Sequence, residues 1–208
     1  GDLIDAEIYR KKKNFLEGRT LRIIKPSPHR VLPVCEHFGN CGGCKWQNLA
    51  YDQQLVYKQK YVYDAFTRIG KLDFPEITPI LANKDPYFYR NKLEYSFSSK
   101  RWLTPEEMAK DEVYENRNGL GYHISGMFDK VLDINNCYLQ PEPSNSIRNA
   151  VKKYAHENNL SFFDIRNKAG FLRTLMIRST STGELMEILA IFEWLEKELI
   201  ALLEFLKK

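Results

Sequence analysis

Four cysteines set the tightest limit on this chain. Cys35, Cys41 and Cys44 lie close together, Cys137 follows after 92 intervening residues, and the sequence holds no other cysteine. Such a set is a poor disulfide framework in a reducing compartment, and a Cys-x-x-Cys redox pair leaves Cys35 unexplained. Four thiolates suit one tetrahedral zinc ion or a cubane iron–sulfur cluster. Structural zinc sites usually pair two short knuckles, whereas three near ligands and one remote ligand recur in iron–sulfur proteins, so the spacing favours the cluster. On spacing alone, zinc with help from His29, His37 or His123 stays open, and so do unliganded structural cysteines. Gly42 and Gly43 let the backbone turn tightly, so that thiolates converge and amide N–H groups face anionic sulfur. Any fold that uses all four must bring residue 137 back onto the loop 35–44.

The rest of the composition describes a globular chain: 208 residues, 43% apolar, 28% charged and 13% aromatic, enough for a sizeable core. No run approaches the roughly 20 apolar residues that span a bilayer, and no leader signal opens the chain. Cytoplasm is the expected location. The chain starts at Gly1 inside a strand-like run and stops at Lys208 just after a helical one, so a segment of a longer protein is expected. Net charge is only +4, yet eight basic residues and a single acid, Glu17, lie between Arg10 and Arg30. That local excess suits a polyanion; a solvated hairpin is the plainer alternative.

Alternation predicts strands over 3–9 and 19–25 joined by a basic loop 10–18, in the style of a small exposed β-barrel whose partner strands lie elsewhere. Pro26, Pro28 and Pro33 mark a linker. Tyr51, Leu55, Val62, Phe66 and Ile69 predict one face of a helix over 49–69 that Gly70 ends. Strands are expected at 87–99, 119–124 and 130–134, with an acidic surface excursion (Glu106, Glu107, Asp111, Glu112, Glu115) between the first two. A helix over 144–157 takes Ser144 as N-cap and turns Ile147, Val151 and Tyr154 inward. Strands 171–179 and 184–192 flank the turn Thr180–Gly183, and a last helical run covers 195–206.

Several stretches carry a family resemblance. Cys35-Glu36-His37-Phe38-Gly39-Asn40-Cys41-Gly42-Gly43-Cys44-Lys45-Trp46-Gln47 resembles the cluster-binding motif of the RNA uracil-C5 methyltransferases, in particular the bacterial 23S ribosomal RNA type. Tyr51, Gln54, Leu55 and Lys58 with Arg68-Ile69-Gly70 are similar too. So are Tyr89-Arg90-Asn91-Lys92-Leu93-Glu94 and Gly121-Tyr122-His123, followed by Leu132-Asp133-Ile134-Asn135-Asn136-Cys137. The resemblance covers nearly the whole chain, and the acidic excursion departs from the pattern. It implies an α+β chain: a partial OB-like (TRAM) β-barrel segment over 1–33, followed by a central α/β domain over 34–208 that holds a 4Fe–4S cluster on Cys35, Cys41, Cys44 and Cys137. It also implies that the Rossmann-like catalytic domain is absent.

Uracil methylation by that family's route needs a cysteine nucleophile, a general base and an S-adenosylmethionine pocket. With all four cysteines taken as ligands no nucleophile remains, and Gly119-Leu120-Gly121 is only a weak match to a donor-binding turn. The chain alone is therefore expected to be catalytically silent and to hold RNA, in the parent enzyme ribosomal RNA. Lys11, Lys12, Lys13, Arg19 and Arg22 are the expected phosphate contacts, with Arg90 and Lys92 on the central sheet. A zinc-stapled nucleic-acid-binding module without an enzymatic parent is the rival reading.

Overall fold

Apolar and polar residues alternate near the N-terminus and pair into a hairpin. In the computed structural model, which describes residues 1–110 and 112–207, β1 (Leu3–Lys11) lies antiparallel to β2 (Leu16–Lys25). Both strands outrun their expected bounds, so the basic loop shrinks to residues 12–15 and Lys11 becomes a strand residue. The hairpin is a two-stranded sheet and not a closed barrel. Residues 1–33 form one compact unit with 46–83, and residues 34–45 form a second with the chain from 84 onward; the expected division was a single break after residue 33.

In the first unit, α1 (Tyr51–Asp64) runs into a wider π-helical turn, Ala65–Gly70. The expected stop at Gly70 is displaced by one residue: Lys71 takes the left-handed conformation (φ 49°) that ends the run. The expected apolar face is not buried; no α1 residue is, and Ile69 is 83% exposed. Within this unit the extended return 71–83 packs on the helix, and Gln54 donates to the carbonyls of Trp46 and Leu49 at 3.1 and 2.9 Å. Phe74 meets Tyr63 and Phe66 edge-on, at 5.9 and 5.3 Å between centroids. Gln59 accepts from Ile80 N–H at 2.9 Å, and Tyr51 Oη accepts from Asn83 N–H at 2.9 Å.

The second unit is built on a five-stranded antiparallel sheet: β3 (Lys92–Ser98), β4 (Gly119–His123), β5 (Val131–Asp133), β6 (Leu172–Ser179) and β7 (Leu185–Ile191), in the order β5-β4-β3-β6-β7. Leu93, Tyr95 and Phe97 alternate along β3 and are all buried, because a period of two puts them on one face. That face packs with Val151 and Ala155 of α3 (Ser144–Glu157) and Leu202 of α4 (Glu196–Leu206). Tyr154 of α3 stacks on Phe205 of α4 at 4.4 Å.

Three local expectations change here. Residues 87–91 precede the sheet instead of extending β3, held by Phe88 and Arg90 N–H donating to the carbonyls of Tyr138 and Leu139. Part of the acidic excursion folds into α2 (Pro105–Met108), where Thr104 and Glu107 form a capping box and Arg101 forks onto Glu107 at 2.8 and 3.0 Å; Asp111 lies outside the described residues. Ser144 does not cap α3: Pro143 holds that position, and the buried Ser144 hydroxyl donates to Gln140 Oε1 at 2.6 Å. Gly119-Leu120-Gly121 lies on β4, where a Cβ on Gly121 would sit 2.1 Å from the Leu132 carbonyl oxygen. Close strand pairing accounts for that glycine. No helix among the described residues is long and apolar enough to cross a membrane.

Candidate metal centre

All four cysteines belong to the second unit. The loop carrying the first three turns back on itself through Phe38 N–H to Cys35 O (3.1 Å) and Cys41 N–H to His37 O (2.9 Å). It then docks on the end of β4, where Cys41 bridges Ile124 and Gly42 N–H donates to His123 O at 3.2 Å. A Cβ on Gly42 would lie 2.4 Å from that oxygen, so only glycine permits the approach. Cys137 lies in the segment between β5 and α3. Asn145 clamps its backbone, Oδ1 accepting from Cys137 N–H at 2.8 Å and Nδ2 donating to Cys137 O at 3.1 Å. His37 Nε2 accepts from Asn135 N–H at 3.1 Å, tying the loop to the approach of Cys137.

The thiols are neighbours in an electrostatic sense. Burial pushes the Cys35 and Cys137 thiols up and takes Cys41 to about 11. Negative charge on the other thiols adds to each rise. Opposing it, a backbone N–H from two residues on lowers each of the three, His37 for Cys35, Gly43 for Cys41 and Leu139 for Cys137, and Gly43 N–H donates to Cys41 Sγ at 3.4 Å. Donors aimed at sulfur in this way favour thiolate, which a bound metal also requires. Tyr122 adds a further polar group: its buried hydroxyl has no well-formed hydrogen bond, and it faces the Cys137 sulfur closely enough to lower that thiol's pKa. The two observations fit one geometry, a hydroxyl near sulfur but poorly aligned to it.

Among the described residues no group of three or more His, Cys, Asp or Glu is arranged to hold a metal ion. A tetrahedral zinc at about 2.3 Å from each sulfur would draw the sulfurs to about 3.8 Å from one another. The histidines do not complete such a site. The His37 ring nitrogen is engaged with Asn135, and burial lowers its pKa, so it accepts as a neutral imidazole. Its 3.2 Å approach to Glu36 is therefore not an ion pair at neutral pH. His123 contributes its carbonyl instead of its ring, and His29 belongs to the other unit.

Two residues tied to this centre that the sequence did not single out are Asn145, bonded to Cys137, and Arg148, bonded to Asn145, while Tyr122 entered only through the resemblance, with no role at the centre. Ser144, Arg148, Val151 and Ala155, spaced four, three and four apart, are the buried stripe of α3, and Asn145 is buried beside them. A helical period marks those positions as inward whatever their polarity.

The expected RNA contacts are placed less uniformly. Arg19 pairs with Glu7 at 2.6 Å and Arg22 with Asp5 at 2.5 Å, across the hairpin register. Arg30 forks onto Asp2, and Lys12 approaches Glu17 at 3.8 Å. The acids Asp2, Asp5 and Glu7 lie outside the basic window in sequence and opposite it in space. Lys11 and Lys13 are exposed and make no ion pair among the described residues. Lys92 opens β3 opposite Arg178, approaching Glu94 at 3.8 Å, whereas Arg90 lies ahead of the sheet and not on it.

No protein-family profile matches the chain. It is similar to a protein of Bacteroides thetaiotaomicron named an uncharacterized RNA methyltransferase, 52% identical over 188 residues that cover 90% of this chain and 41% of that one. A Porphyromonas gingivalis protein of the same name is 49% identical over 197 residues, covering 92% and 42%. A third so named, from Chlorobaculum tepidum, is 38% identical over 205 residues, covering 98% and 42%. The chain thus spans about two-fifths of the length of the curated relatives it matches. Among solved structures, the Pyrococcus abyssi tRNA (uracil-54, C5)-methyltransferase in complex with S-adenosyl-L-homocysteine superposes with a TM-score of 0.61 at 23% identity, over 94% of this chain and 40% of that one. At that identity the likeness is one of fold.

Proposed function

We propose that the chain is the RNA-holding, iron–sulfur portion of an S-adenosylmethionine-dependent RNA uracil-C5 methyltransferase, a reading supported by its relatives named RNA methyltransferases and by its fold likeness to a tRNA (uracil-54, C5)-methyltransferase. The proposed cluster is 4Fe–4S, held by Cys35, Cys41, Cys44 and Cys137. The observation that carries this reading is the grouping of the thiols: Cys35, Cys41 and Cys137 each feel the charge of the others or of Cys44 and each have their pKa lowered by a backbone N–H from two residues on, with Gly43 N–H on Cys41 Sγ at 3.4 Å. Thiolate ligands with N–H groups directed at sulfur are what an iron–sulfur cluster needs. When bound, the cluster supplies a cross-link between the loop 35–44 and residue 137.

The chain's own residues do the rest. Lys11 and Lys13 neutralise phosphates, and Lys12, Arg19 and Arg22 exchange solvated carboxylate partners for them; Arg90 and Lys92 offer donors beside and on the sheet. With its four cysteines engaged, the chain has no thiol left to attack uracil, and its antiparallel sheet holds no strand–turn–helix donor site. Methyl transfer thus belongs to the whole enzyme, whose proposed substrate is ribosomal RNA and whose proposed location is the cytoplasm. Anaerobically purified protein should show a broad absorption at roughly 400 nm, as iron–sulfur clusters do and zinc does not. Colourless protein with zinc bound would refute the assignment.

A further inference from the structure

Arg148 is fully buried on α3 and has no carboxylate partner among the described residues. Its guanidinium donates to Asn145 Oδ1 at 2.9 Å, to Asn149 Oδ1 at 3.2 Å and to the Asn135 carbonyl, and lies 5.1 Å from the centroid of the Tyr95 ring. Its Nε has no partner at all. A guanidinium stays charged, and a buried charge without a counter-charge is costly. Glu142 is the carboxylate that feels its field, but that group is engaged with the N–H and hydroxyl of Ser146, at 3.1 and 3.0 Å.

Hydrogen bonding alone does not explain the residue. Two of the three acceptors that Arg148 serves have a second donor: the buried Asn145 Oδ1 takes Cys137 N–H at 2.8 Å, and the Asn135 carbonyl takes Asn149 Nδ2 at 3.2 Å. Removing the guanidinium would orphan neither. What remains distinctive is position, since both acceptors flank Cys137 in chain or contact.

We propose that Arg148 is the fixed counter-charge of the four-cysteine site, which is therefore built for an anionic occupant. The inference rests on the cluster reading. Four thiolates outweigh the positive charge of a cubane core, so the ligated cluster is a net anion, and burying it beside Arg148 compensates both charges. In the iron-free protein the guanidinium is uncompensated. Loaded and empty forms should then respond in opposite directions when it is removed.

The test compares wild type, Arg148→Met and Arg148→Lys after anaerobic loading with iron and sulfide. Cluster loss to an iron chelator is followed by absorption near roughly 400 nm, and melting is measured for loaded and iron-free protein. Arg148→Met should lose the cluster about tenfold faster or more, as expected for a residue that supports ligands. Its iron-free form should melt no lower than iron-free wild type. Arg148→Lys, which keeps the charge without the fork, should fall between. Equal rates of cluster loss would overturn the inference. So would an Arg148→Met variant that destabilises loaded and iron-free protein alike, or that fails to fold without iron, since a purely structural arginine behaves so. Wild type that takes up no cluster would show a different failure, that of the cluster reading itself, and the inference would fall with it.

Discussion

Replacing Gly42 with Ala should damage the cysteine loop, whereas the same change at Gly43 should not. A Cβ at position 42 would stand 2.4 Å from the His123 carbonyl oxygen, a backbone atom at the end of β4 that cannot swing aside. The loop must retreat by about 1 Å to restore an ordinary separation, and the bond from Gly42 N–H to that oxygen breaks. Overpacking of this kind costs about 1–3 kcal/mol, and the broken hydrogen bond about 1 kcal/mol. The total, about 2–4 kcal/mol, corresponds to roughly 5–15 °C in melting temperature for a domain of this size. At position 43 the nearest atoms to a Cβ are Cys41 Sγ at 3.4 Å and a Tyr122 ring carbon at 3.8 Å, which is normal packing. Gly43→Ala should therefore melt within about 2 °C of wild type, helped by the lower entropy of its unfolded chain. Melting curves of anaerobic protein, with iron content determined on the same samples, measure both. Equal destabilisation in the two variants would refute the role given to the His123 carbonyl.

Other outcomes follow from the charges. Replacing Lys11, Lys12 and Lys13 together with Ala should weaken binding to two unrelated RNA hairpins about equally. The log–log salt slope should flatten by about 0.7–0.9 for each phosphate that is no longer neutralised. Since Lys12 already approaches Glu17, about two such phosphates are expected, and an unchanged slope would return this run to a solvated turn. The Asp164 carboxyl is held down to about 2, first by Lys100 and then by the N–H groups of Asn167 and Arg166. A depressed carboxylate stabilises the fold fully above its ordinary pKa near 3.8, and that contribution disappears as pH falls through about 2. Amide exchange in the turn 164–169 should accelerate across that window in wild type and much less in Asp164→Asn. The purified chain given S-adenosylmethionine and RNA should transfer no methyl group, and turnover free of contaminating enzyme would contradict the missing nucleophile.

Much of the second unit was legible in the sequence because its signals are local. The span of α3 was read from Ser144 as a start signal and from the inward spacing of Ile147, Val151 and Tyr154, and the turn Thr180–Gly183 from its composition, with Gly183 at φ 100°. What escaped depends on partners distant in sequence. Arg10 to Arg30 reads as a bare basic run until the hairpin register sets Asp5 against Arg22 and Glu7 against Arg19. Ser144 has the right chemistry for a cap, but Gln140 captures its hydroxyl. Gly70 was the expected helix stop, yet widening of the last turn passes that role to Lys71. At the candidate centre the cysteines were visible from spacing and resemblance, whereas nothing in the sequence singled out Arg148. Its meaning emerges only once residues 135 and 137 are folded against it.

Iron and acid-labile sulfide, quantified in anaerobically purified wild type and in Cys137→Ser, decide whether the four cysteines hold a cluster. Cys137 is the remote ligand, and it alone ties the segment after β5 to the loop 35–44 through the proposed cluster. Wild type should carry iron and sulfide in equal amounts, about four of each per chain, and Cys137→Ser should lose most of both and melt at a lower temperature. Full iron content and an unchanged melting temperature in Cys137→Ser, or wild type free of iron, would contradict the cluster assignment.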